Sequence, residues 1–98
     1  MIRSFGDGAT EDFYHGRRTA RARRIRASIA AAARRKLDQI ALYAENLNDL
    51  RVPPSNHLEA LPGEFIGYHS IRINKQWRVI FRWIDQAAED VRIVDYHP

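Results

Sequence analysis

Gly67-Tyr68-His69-Ser70-Ile71-Arg72-Ile73, then Asn74-Lys75, then Gln76-Trp77-Arg78-Val79-Ile80-Phe81-Arg82-Trp83-Ile84, is the stretch that decides the fold. Both runs are rich in β-branched and aromatic residues. The two residues between them suit a turn, so the pattern predicts a tight β-hairpin. Side chains alternate across a strand, so Trp77, Val79, Phe81 and Trp83 share one face, the face that should meet a core. Arg78 and Arg82 share the other face with Ile80 and Ile84. By the same alternation Arg72 joins Tyr68, and His69 has the parity of Ile71 and Ile73, which is a structural position.

Further strands flank the hairpin. Upstream, Val52-Pro53-Pro54-Ser55 breaks any helix and makes a loop. His57-Leu58-Glu59-Ala60-Leu61 then alternates as a strand, and Pro62-Gly63 turns. Downstream, Asp85 to Asp90 reads as a polar turn, and Val91 to Tyr96 as a last strand with Arg92, Val94 and Tyr96 on one side. Arg72, Arg78, Arg82 and Arg92 would then cover three adjacent strands on the face away from the core. Tyr68 and Tyr96 in that basic surface suit stacking on nucleic-acid bases. An ordinary solvated face with cross-strand charge pairs fits the same pattern.

The N-terminal half reads as helical. Met1 to Phe5 is enough for an edge strand, and Gly6-Asp7-Gly8 is a turn. Thr10, followed by Glu11 and Asp12, suits a helix N-cap, and Gly16 suits the end of a short helix. Ile25, Ile29, Ala33, Leu37, Ile40, Ala44 and Leu47 recur every three or four residues and form one helical stripe. Arg23, Arg24, Arg34 and Arg35 fall on the opposite face. Arg26 falls inside the apolar arc, so the core-facing part should begin nearer Ala27. The expected fold is one α+β domain over residues 1–98, an N-terminal strand and two helices packed on a mainly antiparallel sheet.

Composition narrows the function classes. The chain has 98 residues, 45% of them hydrophobic, which is enough for one modest core and too apolar for disorder. There is no cysteine, which excludes disulfide scaffolds, zinc fingers and thiol nucleophiles. With no apolar run of about 18 residues and no apolar leader at the start, a cytoplasmic location is expected, with no membrane partner. Sixteen basic and twelve acidic residues give a formal charge of +4. Nine of the bases (Arg17, Arg18, Arg21, Arg23, Arg24, Arg26, Arg34, Arg35 and Lys36) occupy residues 17–36, which hold no acid. Such a block suits a polyanion, and arginine's planar fork suits phosphate. It equally suits a solvated helix face.

The chemistry concentrates in the tail, Asp95-Tyr96-His97-Pro98. A carboxylate, a phenol and an imidazole there match transfer within an RNA phosphodiester. That reaction needs a base for the 2′-OH proton, a cation for the phosphorane and an acid for the leaving 5′-oxygen. Strict alternation puts Tyr96 with the arginines and sends Asp95 and His97 to the opposite side, so convergence requires the strand to end or bulge. His15, His57, His69 and His97 show no metal-ligand spacing, and no Gly-rich phosphate loop occurs. No metal or cofactor is therefore expected.

Four segments together, M-I-R-S-F (1–5), L-R-V-P-P-S-N-H-L-E-A-L-P-G (50–63), Y-H-S-I-R-I-N-K-Q-W-R-V-I-F-R-W (68–83) and V-D-Y-H (94–97), resemble the HigB-type plasmid-maintenance killer proteins of the RelE toxin superfamily. The resemblance implies a RelE-like fold and a ribosome-dependent mRNA endoribonuclease that blocks translation. It also implies a HigA-like helix-turn-helix antitoxin, with operator DNA reached only through that antitoxin. Arg78 would stabilise the phosphate, and Asp95, Tyr96 and His97 would form the catalytic group. His57, Glu59, Tyr68, Arg72, Arg82, Arg23, Arg24, Arg34 and Arg35 are the expected RNA contacts. Two departures stand out. The turn Leu61-Pro62-Gly63-Glu64-Phe65 lacks basic residues found in many members, and Glu59 stands where some carry a histidine, for which His57 would substitute. Relatives on this fold also include gyrase poisons, and an inactive homologue could serve as co-repressor.

Overall fold

The computed structural model describes residues 1–96; His97 and Pro98 lie outside them. Its centre is β3 (Trp77–Ile84), paired on one side with β2 (His69–Arg72) and on the other with β4 (Ala87–Asp95). A short β1 (Glu59–Ala60) adds to β2, and the sheet order is β1-β2-β3-β4, antiparallel throughout. The predicted hairpin is present. The side-chain oxygen of Asn74 accepts hydrogen bonds from the amides of Gln76 and Trp77 at 2.8 and 2.7 Å, which closes the turn.

The last strand is longer than its sequence suggested. Asp85 and Gln86 both take positive φ, 49° and 63°, the geometry of a two-residue hairpin turn, so pairing resumes at Ala87 and not at Val91. The register shifts between Ile80 and Arg82, and Asp90 opposite is left-handed at φ 53°. This bulge puts polar residues inside a strand and hides its period. Residues 1–5 form the expected edge, held parallel to β4 by bridges Ile2–Ala88 and Phe5–Val91.

Helix α1 (Gly8–Tyr14) is capped by Asp7, whose carboxylate accepts from the Thr10 amide at 2.7 Å. Thr10 is thus not the cap. It is buried, and its hydroxyl accepts from the Ile93 amide at 2.9 Å, joining α1 to β4. Helix α2 (Ala27–Asp38) continues through a π-helical turn, Gln39–Tyr43. Its alanine-rich start favours helix intrinsically. Arg26 is an exposed cap with extended backbone, which accounts for its misfit in the apolar arc. The predicted stripe is buried from Ile25 to Ala44 and packs with Val79, Phe81 and Ile93; Leu47, Trp77 and Trp83 flank it, half-buried. The loop over residues 47–56 is built of two 3-10 turns around fully buried Asn56, which donates to the carbonyl of Leu50 and accepts from Lys36.

One acid organises the arginine-rich lead-in to α2. Asp12 is buried, and it accepts from Arg21 at 2.6 Å, Thr19 at 2.7 Å and Arg17 at 3.2 Å. The Arg21 guanidinium, then the Thr19 hydroxyl, then Arg17 hold its carboxyl far below the usual carboxylate range. A depressed folded-state pKa contributes stability that is present above the unfolded value, about 3.9, and is lost as pH falls below it. The parent should therefore lose stability on acidification below about pH 4. Asp12→Asn, less stable at neutral pH, should lack that part of the loss. Urea midpoints measured across this range should converge, and parallel curves would refute the assignment.

Candidate functional site

The sheet face turned away from α2 carries the site, and strand register assembles it. Glu59, Ser70, Ile80 and Arg92 lie in one row across the four strands, and Arg72, Arg78 and Val94 in the next. Ile80 is fully buried and Arg78 only 6% exposed, so this face is covered, unlike an ordinary solvated sheet surface. A guanidinium that buried requires a partner, because desolvating an unpaired charge is costly. Arg78 Nη1 donates to Glu59 Oε1 at 2.7 Å and to Ser70 Oγ at 3.2 Å. Its Cζ lies 5.0 Å from the centroid of the Tyr96 ring, a cation–π distance. The arginine sits at the floor while the Glu59 side chain, 40% exposed, forms the rim.

A second group surrounds Tyr68. The Cζ atoms of Arg82 and Arg92 lie 4.9 and 5.8 Å from its ring centroid, and Arg92 Nη2 donates to its hydroxyl at 3.5 Å. Phe65, from the turn that departs from the family pattern, meets the ring edge-on at 6.0 Å. Arg82 also lies 3.8 Å from Asp90. The Nε atoms of Arg72 and Arg92 are buried without a hydrogen-bond partner.

The structure brings together Arg78, Tyr96 and Glu59, and beside them Tyr68, Arg72 and Arg82. It does not bring Asp95 to them. Strand pairing continues through Asp95, opposite Trp77, so Asp95 keeps the parity of Trp77 and accepts from Gln76 at 2.9 Å. The bulge that could turn it lies elsewhere, beside Arg82. His97 falls outside the described residues.

His57 is not on the expected strand face. The 3-10 turn Pro54–Asn56 ends on it in left-handed backbone, φ 49°, and pairing starts only at Glu59. Arg34 is committed to structure, donating to the Phe13 and Tyr14 carbonyls at the end of α1 and lying 4.7 Å from the Phe13 ring centroid. Arg23 and Arg24, in a 3-10 turn ahead of α2, and Arg35 are exposed. His69 stacks on Phe81 on the core side, and burial, with Arg51 nearby, pushes its pKa below the ordinary value. Arg92 lies on this face, as its parity predicts, and joins the cluster around Tyr68, which parity alone does not show. Parity also gives no sign that Glu59 pairs with Arg78, which only the register reveals.

The sequence matches the model of the HigB-like toxins, RelE-like toxins of the type II toxin–antitoxin system HigB, over residues 3–97. The chain belongs to this family. It is similar to Toxin HigB-1 of Vibrio cholerae serotype O1, with 44% identity over 88 residues, 90% of each chain. Two solved toxin structures share the fold at lower identity. One is a mutant form of Escherichia coli YafQ, with TM-score 0.61 and 14% identity over 97% of this chain and 93% of that one. The other is the Staphylococcus aureus YoeB–YefM complex, with TM-score 0.59 and 18% identity over 100% and 99%. The HigB-like family thus accounts for the RelE-like α+β architecture.

Glu59→Ala in this HigB-like chain would leave a buried guanidinium with only the Ser70 hydroxyl and the Tyr96 ring. We expect a loss of about 1–3 kcal/mol in urea titration. Inorganic phosphate, binding the freed guanidinium, should recover part of that loss. A variant as stable as the parent, or indifferent to phosphate, would show that the pair is not what holds Arg78.

Proposed function

We propose that this toxin cleaves mRNA on the ribosome and thereby halts translation. The observation that carries the reading is the Arg78 cluster, a buried guanidinium held by Glu59 at 2.7 Å under the Tyr96 ring. Arg78 holds the scissile phosphate and stabilises the added negative charge of the phosphorane. Glu59 is the carboxylate nearest the arginine's donors, and it takes the 2′-OH proton. His97, on the strength of the family resemblance, protonates the leaving 5′-oxygen. Tyr96 positions the nucleotide, and Asp95 orients His97. These residues complete the transfer without a metal. Arg23, Arg24 and Arg35 supply sequence-independent attraction to ribosomal RNA. The partner is a HigA-like helix-turn-helix antitoxin, through which operator DNA is reached, and the compartment is the cytoplasm.

Induced expression followed by mapping of mRNA 5′ ends tests the reading. Arg78→Ala and His97→Ala should each lower cleavage about 10²- to 10⁴-fold. Co-expression with the adjacent open reading frame should relieve growth arrest and co-purify a small protein. Growth arrest without any mRNA cleavage would favour a protein target such as gyrase.

Replacing Arg23, Arg24 and Arg35 with Gln should weaken ribosome binding and flatten its salt dependence. Unchanged binding in a salt titration would make these arginines a solvated face only.

A further inference from the structure

Tyr68 reads from sequence as a ring on which a base could stack, yet its surroundings are already filled. Two guanidinium groups lie within 5.8 Å of its centroid, Phe65 meets it edge-on, and its hydroxyl accepts from Arg92. A ring so surrounded acts as a pillar. It holds Arg82 and Arg92, two like charges, close together on adjacent strands.

Arg92 has further marks of a binding group. Its Nε is buried against Gly6 and closed to a ligand, so the donors it can offer are those of its Nη groups. Gly6 closes against it so tightly that a Cβ there would lie 2.5 Å from Nε and 2.8 Å from the Asp90 carbonyl oxygen. The guanidinium is thus confined, which limits the rotamer entropy lost when a ligand binds. No carboxylate among the described residues forms an ion pair with Arg92, whereas Arg78 has Glu59 and Arg82 has Asp90 at 3.8 Å.

Register sets its distance from the scissile site. Arg78 pairs with Val94, and Arg92 is the next residue of the same parity, a diagonal neighbour ~7–8 Å away at the backbone. That separation is on the order of one nucleotide step.

We propose that Arg92 and Arg82, braced by Tyr68, form a second anion subsite that takes the phosphate adjacent to the scissile one in single-stranded RNA. The proposal rests on the nuclease reading and adds Arg92 to the site as a substrate-positioning residue. It replaces the role of Tyr68 as a stacking platform.

A short single-stranded RNA with 2′-O-methyl groups throughout tests this, since it cannot be cleaved and reports binding alone. The magnitude of the slope of log affinity against log salt should fall by about 0.7 in Arg92→Gln, the value for one single-strand phosphate contact. Arg92→Lys, which keeps the charge but not the fork, should restore the slope more than the affinity.

Uncharged methylphosphonates placed one linkage at a time should weaken parent binding most at two neighbouring linkages. Arg92→Gln should lose that sensitivity at one of them only. Tyr68→Leu should reproduce the loss if circular dichroism shows that Arg92→Gln is misfolded. A parent slope and parent sensitivity at both linkages in Arg92→Gln would overturn the subsite, as would a loss spread evenly over all linkages. Because the probe is inert to cleavage, absence of ribosomal mRNA cleavage would defeat the nuclease reading without altering these outcomes.

Discussion

A charged side chain in the middle of a sheet must be paired, and the Arg78 guanidinium imposes that requirement on the whole site. Its partners come from three other parts of the chain. Glu59 comes from β1, Ser70 from β2, and Tyr96 follows β4. Only the order β1-β2-β3-β4, with β3 between its neighbours, gives one side chain access to all three. The apolar face of β3 makes this order stable, because Val79 and Phe81 are fully buried with Leu37 and Ile40 of the α2 segment. Burial on one side of the strand thus fixes the position of the charge on the other.

The two faces also divide the arginines by role. Arg17, Arg21 and Arg34 lie in the basic block of residues 17–36 but are occupied within the fold, two by Asp12 and one by carbonyls at the end of α1. The charge count of that block therefore overstates its free positive surface. On the sheet face Arg78 and Arg82 are likewise paired, with Glu59 and Asp90.

Periodicity made the fold largely legible. The α2 stripe, the hairpin and the parity of β3 all follow from spacing of three, four and two residues. Spacing misleads where side-chain hydrogen bonds or left-handed backbone override it. Asp7 and not Thr10 caps α1, because the Thr10 hydroxyl is used by the Ile93 amide. A left-handed residue at Asp90 hid four residues of β4, and another at His57 removed that histidine from β1. For the site, alignment of Arg78, Tyr68, Arg72 and Arg82 on one face was readable. The Glu59–Arg78 pair was not, because it depends on which residues of β1 and β2 lie opposite one another.

The four consecutive residues Arg78 to Phe81 are all buried, on both faces of β3. A change in side-chain size at any of them disturbs packing on one face or the other. Variation compatible with the fold must then arise outside these four residues. Residues 62–68 and the side chains of Arg82 and Arg92 form that margin, and none of them is buried. The fold thus separates a buried centre that tolerates little change from a border that tolerates more, so sequence can diverge at the border while the centre stays the same.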